Sequence, residues 1–353
     1  MTGMTGGNQS DRRSTLVDVA RLAGVSVGTA SNYLNHPERV AASTRASVAE
    51  AVRLLDFVPN GQARALRGQS RTIGMIVSDL GNSFFVEMTR GAEEAASAAG
   101  YALLVASSVG SEEKQRQLLQ VFDEARFAGV LLAPFEATAD YREPAGLRAP
   151  CVVLNASRPG HYGSCVVSDD ELGGYIAARH MIDRGRVRLH FVAGPLRLAP
   201  IAQRLHGARR AVAEASGVRL SVEHVAFTDH LIEGEAVAAG ILAQPREQRP
   251  DAILSTSDIL ALAIIHAVQG ILKVPEELAV IGYDNNAAAR DATISVSTVA
   301  QASSEMGASA FGLLLEELSG QSRQGQLISL PPQLVVRASS AAPRKESHHR
   351  RSD

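Results

Sequence analysis

Apolar residues change their spacing along this chain, and the change divides it. Leu16, Val19, Ala20 and Ala23 fall at i, i+3, i+4 and i+7, one stripe of a helix. Thr15 followed three residues later by Asp18 has the spacing of a capping box for that helix. Gly24 stops it, and Ser26 is placed to cap a second helix over residues 27–34, which His36-Pro37 ends. Ser43 is placed to cap a third helix over residues 44–55, with Val48, Val52 and Leu55 as its apolar face. Two short helices joined by a tight glycine-containing turn are the helix-turn-helix pattern, whose second helix enters a DNA major groove.

After Phe57-Val58-Pro59-Asn60, residues 61–67 could form about two helical turns capped by Asn60. Leu66 is their only large apolar side chain, so this helix should not be stable alone, and Gly61 costs it roughly 1 kcal/mol relative to Ala. A lone Leu66 on such a helix suits a wedge at a minor-groove step better than a core position.

From Thr72 the pattern becomes short apolar runs alternating with helix-spaced segments. Strands are expected at 73–77, 102–105, 129–132, 151–154 and 166–167, with helices at 84–99 and 112–125. The rhythm restarts near Asp169 with helices at 173–183, 204–215, 233–243 and 260–269 between strands at 189–192, 222–227, 252–254 and 278–283. Residues 303–318 follow as an amphipathic helix. Strands alternating with helices predict parallel sheets covered on both faces, and the restart predicts two similar lobes.

Charge sharpens this division. The net charge of the 353 residues is -2, yet residues 12–71 carry Arg12, Arg13, Arg21, Arg39, Arg45, Arg53, Arg64, Arg67 and Arg71 against Asp18, Glu38, Glu50 and Asp56. A basic head on an acidic body suits a nucleic-acid binder; a solvated helical face is the bland reading. No run reaches the roughly 18 apolar residues of a membrane span, and residues 1–13 lack an apolar stretch of the secretory kind. Cys151 and Cys165 are the only cysteines, which excludes a disulfide framework and reads as two buried thiols in a reducing cytoplasm.

Ligands of open α/β sheets bind beyond the carboxyl ends of the strands, so the polar residues found there are the candidates. They are Ser78, Asp79 and Asn82 with Phe84-Phe85, then Asn155, Arg204, Asp229, Ser257, Asp258, Asp284, Asn285 and Gln301. Carboxylates, amides and an arginine converging with aromatics match a polyhydroxylated ligand, each hydroxyl of which needs donors and acceptors. Bland readings stand beside these. Ser78 and Asp79 suit a turn, Asp258 suits a helix cap as well as a ligand contact, and one of Phe84 and Phe85 is plain core. Arg204, placed to open the helix at 204–215, sits where the helix dipole disfavours a cation, which argues for a functional reason.

The run Thr15-Leu16-x-Asp18-Val19-Ala20-x-x-Ala23-Gly24-Val25-Ser26-x-x-Thr29-x-Ser31-x-x-Leu34-Asn35 resembles the DNA-binding head of the lactose-repressor/galactose-repressor family. Pro59-Asn60-x-x-Ala63-Arg64-x-Leu66 resembles its hinge helix, and the likeness continues to about Leu334. The resemblance implies an all-α helix-turn-helix head and an α/β two-lobed body like periplasmic binding proteins, the chain crossing between lobes three times. The boundaries are a tail at 1–13, the head at 14–58, a hinge at 59–71, a body at 72–337 and a tail at 338–353. Lobe 1 takes about 72–168 and 302–330, lobe 2 about 169–301 and 331–337.

The same resemblance implies the DNA-binding roles. Val27, Gly28 and Asn32 face base edges, while Ser26, Thr29, Ser31 and Asn35 mostly hold phosphates; Thr15 also belongs to the DNA-binding set. Leu66 intercalates, and Asn60, Ala63 and Arg64 belong to the hinge in the minor groove. Arg204, Asp284 and Asn155 match positions that grip effectors, and Gln301, Ser257 and Asp229 line the same cleft with Phe84 and Phe85. Two departures stand out. Asn32 replaces a commoner Arg or His, and Gly28 leaves one reading position without a side chain. Asn suits the N6/N7 edge of adenine where Arg would read guanine, so the half-site is expected to hold adenine opposite Asn32. Selection from random DNA that fixed guanine there would refute this.

A third departure is the loop after Gly194-Pro195, with Leu198, Ala199, Pro200 and Ile201 where many members of the family place polar side chains. That wall disfavours a purine-type or anionic ligand and leaves a sugar or amphipathic molecule. The expected partners are double-stranded operator DNA, a sugar-like effector and a second copy of the chain, in the cytoplasm, with no membrane and no cofactor or metal. A transport protein would share the body but not the head. For an enzyme, Gly-x-Ser-x-Gly, His-Glu-x-x-His, a Walker loop and zinc-spaced Cys/His sets are all missing from the sequence. His180, His206, His230 and His266 are scattered and read as surface or core. The tail with His348-His349-Arg350-Arg351 could bind metal or DNA, against the plainer reading of solvated disorder.

Overall fold

The computed structural model describes residues 14–57, 70–134, 147–156, 163–321 and 325–341. The chain divides into two compact units, residues 1–70 and 71–353. In the first, α1 (Leu16–Leu22), α2 (Val27–Asn35) and α3 (Ala42–Leu54) surround a small core of Val19, Val48 and Ala51, against which Tyr33, Val52, Leu55 and Phe57 pack. The capping box at Thr15 and Asp18 is formed, with the Thr15 hydroxyl donating to Asp18 Oδ2 at 2.6 Å. Gly24 turns the chain at φ +65°, the left-handed conformation that glycine adopts without a Cβ penalty. The third helix departs from expectation. It begins at Ala42, and its N-cap is Ala41, with no side-chain cap from Ser43.

The second unit holds two six-stranded sheets. The first contains β1 (Thr72–Val77), β2 (Ala102–Ser107), β3 (Gly129–Leu132), β4 (Cys151–Leu154), β5 (Cys165–Ser168) and β11 (Leu327–Leu330), in the order β11-β5-β4-β3-β1-β2. The second contains β6 (Arg188–Ala193), β7 (Arg219–His224), β8 (Ala252–Ser255), β9 (Ala279–Tyr283), β10 (Ser297–Ala300) and β12 (Gln333–Val335), in the order β12-β10-β9-β8-β6-β7. Each lobe therefore repeats one topology: the first five strands lie in the order 2-1-3-4-5 and a sixth strand is added at the far edge. All pairings are parallel except β10 with β12. The chain passes between lobes after β5, after β10 and between β11 and β12, three crossings as the resemblance implied.

Helices cover both faces of each sheet, which is why the central strands read as unbroken apolar runs. In lobe 1, Ile73, Met75 and Val77 of β1 pack with α4 (Ser83–Ala98) and α11 (Ser303–Leu318), while Ile76 packs with Leu119 and Phe122 of α5 (Glu112–Glu124). In lobe 2, α6 (Asp170–Asp183) and α7 (Ala199–Ala213) cover one face, and α8 (His230–Leu242) and α9 (Asp258–Val268) the other. The short α10 (Ala287–Arg290) completes the set.

Three boundaries bear on function. The sequence places the start of α6 at residue 173 and of α7 at residue 204; they start at Asp170 and Ala199. Arg204 therefore lies in the second turn of α7, and the dipole argument for it does not hold. The expected tail also begins too early, since Ser339 and Ser340 are buried: Ser339 Oγ donates to Val280 O at 2.6 Å and Ser340 meets His180 at 2.7 Å. His180 is thus a core histidine, and burial pushes it down to about 4. Cys151 and Cys165 are buried thiols of lobe 1. Among the described residues no helix is long and apolar enough to cross a membrane.

Candidate functional site

The head presents one face of α2. Ser26 caps the helix, its hydroxyl accepting from the Thr29 N–H at 3.0 Å and lying 2.9 Å from the Thr29 hydroxyl. Val27, Gly28 and Asn32 are exposed, whereas Ala30 is fully buried and Ser31, Tyr33 and Leu34 are half-buried. The three residues expected to face bases therefore share the solvent side. The fold does not demand glycine at position 28: an added Cβ would meet nothing nearer than Ser26 Oγ at 3.7 Å. The first-turn amides of Val27 and Gly28 have no intrahelical acceptor, as at any helix start. Thr15 is exposed, with its side chain committed to the capping box. Asn60, Ala63, Arg64 and Leu66, and the side chain of Asn35, lie outside the described residues.

In the body, a cavity of about 650 Å3 opens where the carboxyl ends of the two sheets face each other. Both sheets have their topological switch there, between the first and third strands of each lobe. Lobe 1 contributes Asn82, Phe84 and Phe85 from the start of α4, and Asn155 after β4. Lobe 2 contributes Leu198, Ala199, Pro200, Ile201 and Arg204 around the start of α7, Ser257 after β8 and Asp284 after β9; Gln301 follows β10. Asn155 and Asp284 end equivalent strands of the two lobes, and both have positive φ, +51° and +99°. Non-glycine residues held in such regions cost of order 1–3 kcal/mol and persist where the surrounding structure enforces them.

Arg204 is 5% exposed and held by its own lobe. Its Nε donates to Asp170 Oδ1 at 2.7 Å, its Nη1 to Thr256 O at 2.9 Å, and its guanidinium lies 3.5 Å from the Tyr283 ring centre. The Tyr283 hydroxyl donates to the same Asp170 oxygen at 3.2 Å. Burial opposes the guanidinium charge, and the negative field of Asp170, Tyr283 and Asp284 outweighs it, so Arg204 is held protonated. The result is a fixed cation on the cavity wall.

Asp284 bridges the lobes. Asn82 Nδ2 donates to its Oδ2 at 3.1 Å from across the cleft, and Gln301 Nε2 donates to its Oδ1 at 2.7 Å. Asn82 also caps α4, its Oδ1 accepting from Phe84 N–H at 2.9 Å. A second clasp joins Ser83 to Asn286. Burial raises the Asp284 carboxyl from its ordinary value, against the lowering by Arg204, Asn82 and Gln301.

Asp229 does not line the cavity. It is exposed and caps α8, accepting from Leu231 and Ile232 N–H at 3.0 and 3.2 Å. Ser257 both lines the cavity and caps α9, accepting from Leu260 N–H at 3.2 Å. Asp258 is neither cap nor lining residue; its buried Oδ2 accepts the Asn286 N–H at 2.6 Å. Asp79 forms the expected turn, accepting from Gly81 N–H at 2.8 Å, and lines the cavity with Ser78. Phe84 is 3% exposed and belongs to the lobe 1 core, and Phe85 meets it edge-on at 5.0 Å. Sequence reasoning missed Arg197, Phe227, Thr228 and His230 on the wall. The expected strand at 222–227 includes Phe227, but β7 ends at His224, so a search beyond its end finds Phe227, Thr228 and His230; Arg197 lies beyond the end of β6.

Burial, reinforced by Asp284, pushes Asp258 up to about 8 against Thr298, the Asn286 N–H and Arg337. Its folded pKa lies above its unfolded value, so its contribution to stability is full below about pH 4 and is lost as pH rises through about 8. Asp258→Asn is therefore expected to unfold close to the parent at pH 4.5 and well above it at pH 8.5. Thermal melts at both values check this; a constant gap would contradict it.

A three-helix head with an exposed second helix, attached to a two-lobed α/β body with a polar cleft, defines the class of ligand-responsive DNA-binding regulators. The chain belongs to the lacI family of bacterial regulatory proteins. The model of that family matches residues 15–60, and a periplasmic binding protein-like domain matches residues 178–340. The HTH-type transcriptional repressor PurR of Vibrio campbellii is 34% identical over 333 residues, covering 92% of this chain and 98% of the relative. That of Vibrio vulnificus is 32% identical over 328 residues, with the same coverage. Among solved structures, a lac repressor dimer bound to operator and the anti-inducer ONPF superposes with a TM-score of 0.82 at 25% identity, covering 94% of this chain and 100% of that one. The transcriptional regulator CelR–cellobiose complex gives 0.68 at 28% identity, covering 93% and 100%. The chain is a transcriptional repressor of this type, with a DNA-binding and a ligand-binding domain, and not an enzyme.

Proposed function

We propose that this repressor binds a palindromic operator as a homodimer and is controlled allosterically by a sugar or sugar derivative held between its lobes. The observation that carries the ligand reading is the two-sided cleft. Arg204, Asp284, Gln301 and Asn155 supply fixed donors and acceptors, and Leu198, Ala199, Pro200 and Ile201 supply an apolar wall facing a ligand's less polar side. The solved complex of a related regulator with cellobiose supports the same class.

On this reading the ligand competes with Asn82 for Asp284, resets the angle between the lobes and so changes the spacing of the two hinge helices in the dimer. The hinge at 59–67, weak by itself, orders only when the two copies pack together on DNA, and Leu66 then enters the minor groove. Val27, Gly28 and Asn32 read the bases; Ser26, Thr29, Ser31 and Asn35 hold the backbone. Dimer contacts fall on α4 and α5, where Val86 and Val121 are exposed, as are Leu104 and Val105 of edge strand β2.

Footprinting of the neighbouring intergenic DNA, repeated with a panel of sugars, tests the proposal. A two-fold symmetric protected site whose occupancy changes with one sugar is expected. Protection of nothing under any condition would overturn it.

A further inference from the structure

Asn82 and Ser83, consecutive residues at the start of α4, both reach across the cleft to the loop after β9. Asn82 meets Asp284, and the Ser83 hydroxyl donates to Asn286 Oδ1 two residues further on. The two contacts differ in where they sit. Asn82 and Asp284 line the cavity, whereas Ser83 and Asn286 do not, and Asn286 is only 2% exposed. A ligand in the cavity faces Asp284 and can take it from Asn82. Asn286 is not among the groups it faces.

Lobe 2 fixes the backbone of Asn286. Its N–H donates to Asp258 Oδ2 at 2.6 Å, and Asp258 is fully buried at the start of α9. Gly282 of β9 makes room for that carboxylate, since a Cβ there would stand 2.1 Å from Asp258 Oδ1. Asp284 and Asn285 pass through positive φ, +99° and +61°, a costly turn that the surrounding lobe enforces just before Asn286. Asn286 also occupies the N-cap of α10, where an asparagine side chain ordinarily accepts from the first-turn amides of its own helix. It makes no such bond, and its amide oxygen goes to lobe 1 instead. A backbone anchored in one lobe and a side chain committed to the other are the two parts of a clasp.

We propose that Ser83 and Asn286 are positioning residues of the regulatory response, a clasp outside the effector cavity that holds the lobes together and sets their resting angle before any effector binds. One intramolecular hydrogen bond shifts an equilibrium by about 2- to 10-fold, enough to change the resting population of closed lobes while leaving each lobe folded. The effect on operator binding rests on the allosteric reading above; the closure itself does not.

Pulsed electron paramagnetic resonance on the full-length chain, without effector, reads the closure. Spin labels at Ser319→Cys, after α11 of lobe 1, and Arg209→Cys, in α7 of lobe 2, occupy exposed positions, and labelled chain is diluted into unlabelled chain. Ser83→Ala and Asn286→Ala are each expected to raise the open-to-closed ratio by about 2- to 10-fold, and the double variant to raise it no further than the larger single effect. Ser83→Thr keeps the hydroxyl and should match the parent. Thermal melts identify a variant that has lost its fold. A folded Ser83→Ala with the parent's distance distribution, or single effects that add in the double variant, overturns the clasp. A shifted distribution with unchanged operator affinity supports the clasp and overturns the coupling of lobe angle to DNA.

Discussion

Arg204→Ala is expected to cost about 3–5 kcal/mol of folding stability and to abolish any response of DNA binding to the effector. The cost comes from what is left behind. Arg204 and Asp170 form an ion pair at 2.7 Å with side chains 6% and 4% exposed, so truncating the arginine leaves a carboxylate buried without its countercharge. The stacked contact with Tyr283 and the bond to Thr256 O go with it. Arg204→Lys should rescue little, because an ammonium lacks the planar fork that meets Asp170 and Thr256 while lying over the ring. Removing the acid as well, in Arg204→Met with Asp170→Asn, should recover part of the stability and none of the effector response. Urea unfolding with operator binding measured in parallel separates the two. A loss below 1 kcal/mol with the response intact would show that the buried pair supports neither.

Gly174→Ala should destabilise the protein by about 3 kcal/mol, although alanine is the better helix former by roughly 1 kcal/mol. A Cβ at Gly174 would stand 1.8 Å from Arg204 O, and at Gly207 it would stand 1.9 Å from Glu171 O. These obstacles are backbone, so no rotamer change relieves them and α6 and α7 must move apart. Arg204 moves with them, which predicts weaker effector binding as well as lower stability. Lobe 1 repeats the arrangement, with Gly91 against Ser304 O and Gly307 against Met88 O, both at 1.9 Å, where α4 crosses α11. Gly240→Ala is the matched control: it lies in α8 with nothing within 4 Å of the added Cβ, and should be neutral or stabilising. If both substitutions stabilise alike in urea unfolding, the close approach of α6 and α7 is refuted.

The head was legible to the level of individual hydrogen bonds because its signals are local. Thr15 and Asp18 are three residues apart, as are Ser26 and Thr29, and caps of that reach are determined by neighbours in sequence. Ser43 shows the limit: α3 starts two residues earlier than expected, and nothing in the local pattern separates a serine that caps from one that follows the cap. In the body, alternation revealed strands, helices and lobes, while the helix starts that shape the cleft moved by three to five residues. Pro200 in the first turn of α7 was the available signal, since proline is well tolerated there, but the apolar run around it reads equally as a loop.

Functional residues divided along the same line. Asp229 carries the residue type expected of a ligand contact, and its own helix takes it as a cap. Asp258 was open between cap and ligand, and became neither because the Asn286 N–H, 28 residues away, reaches its carboxylate. The repeat of strand and helix and the caps of α1 and α2 were determined by sequence alone, since periodicity and capping act over a few residues. The pairing of Arg204 with Asp170 across 34 residues and the clasp of Asn82 on Asp284 across 202 were decided only by tertiary structure. Burial, close approach and the satisfaction of polar groups are properties of surfaces brought together by the fold, and no local pattern encodes which surfaces will meet.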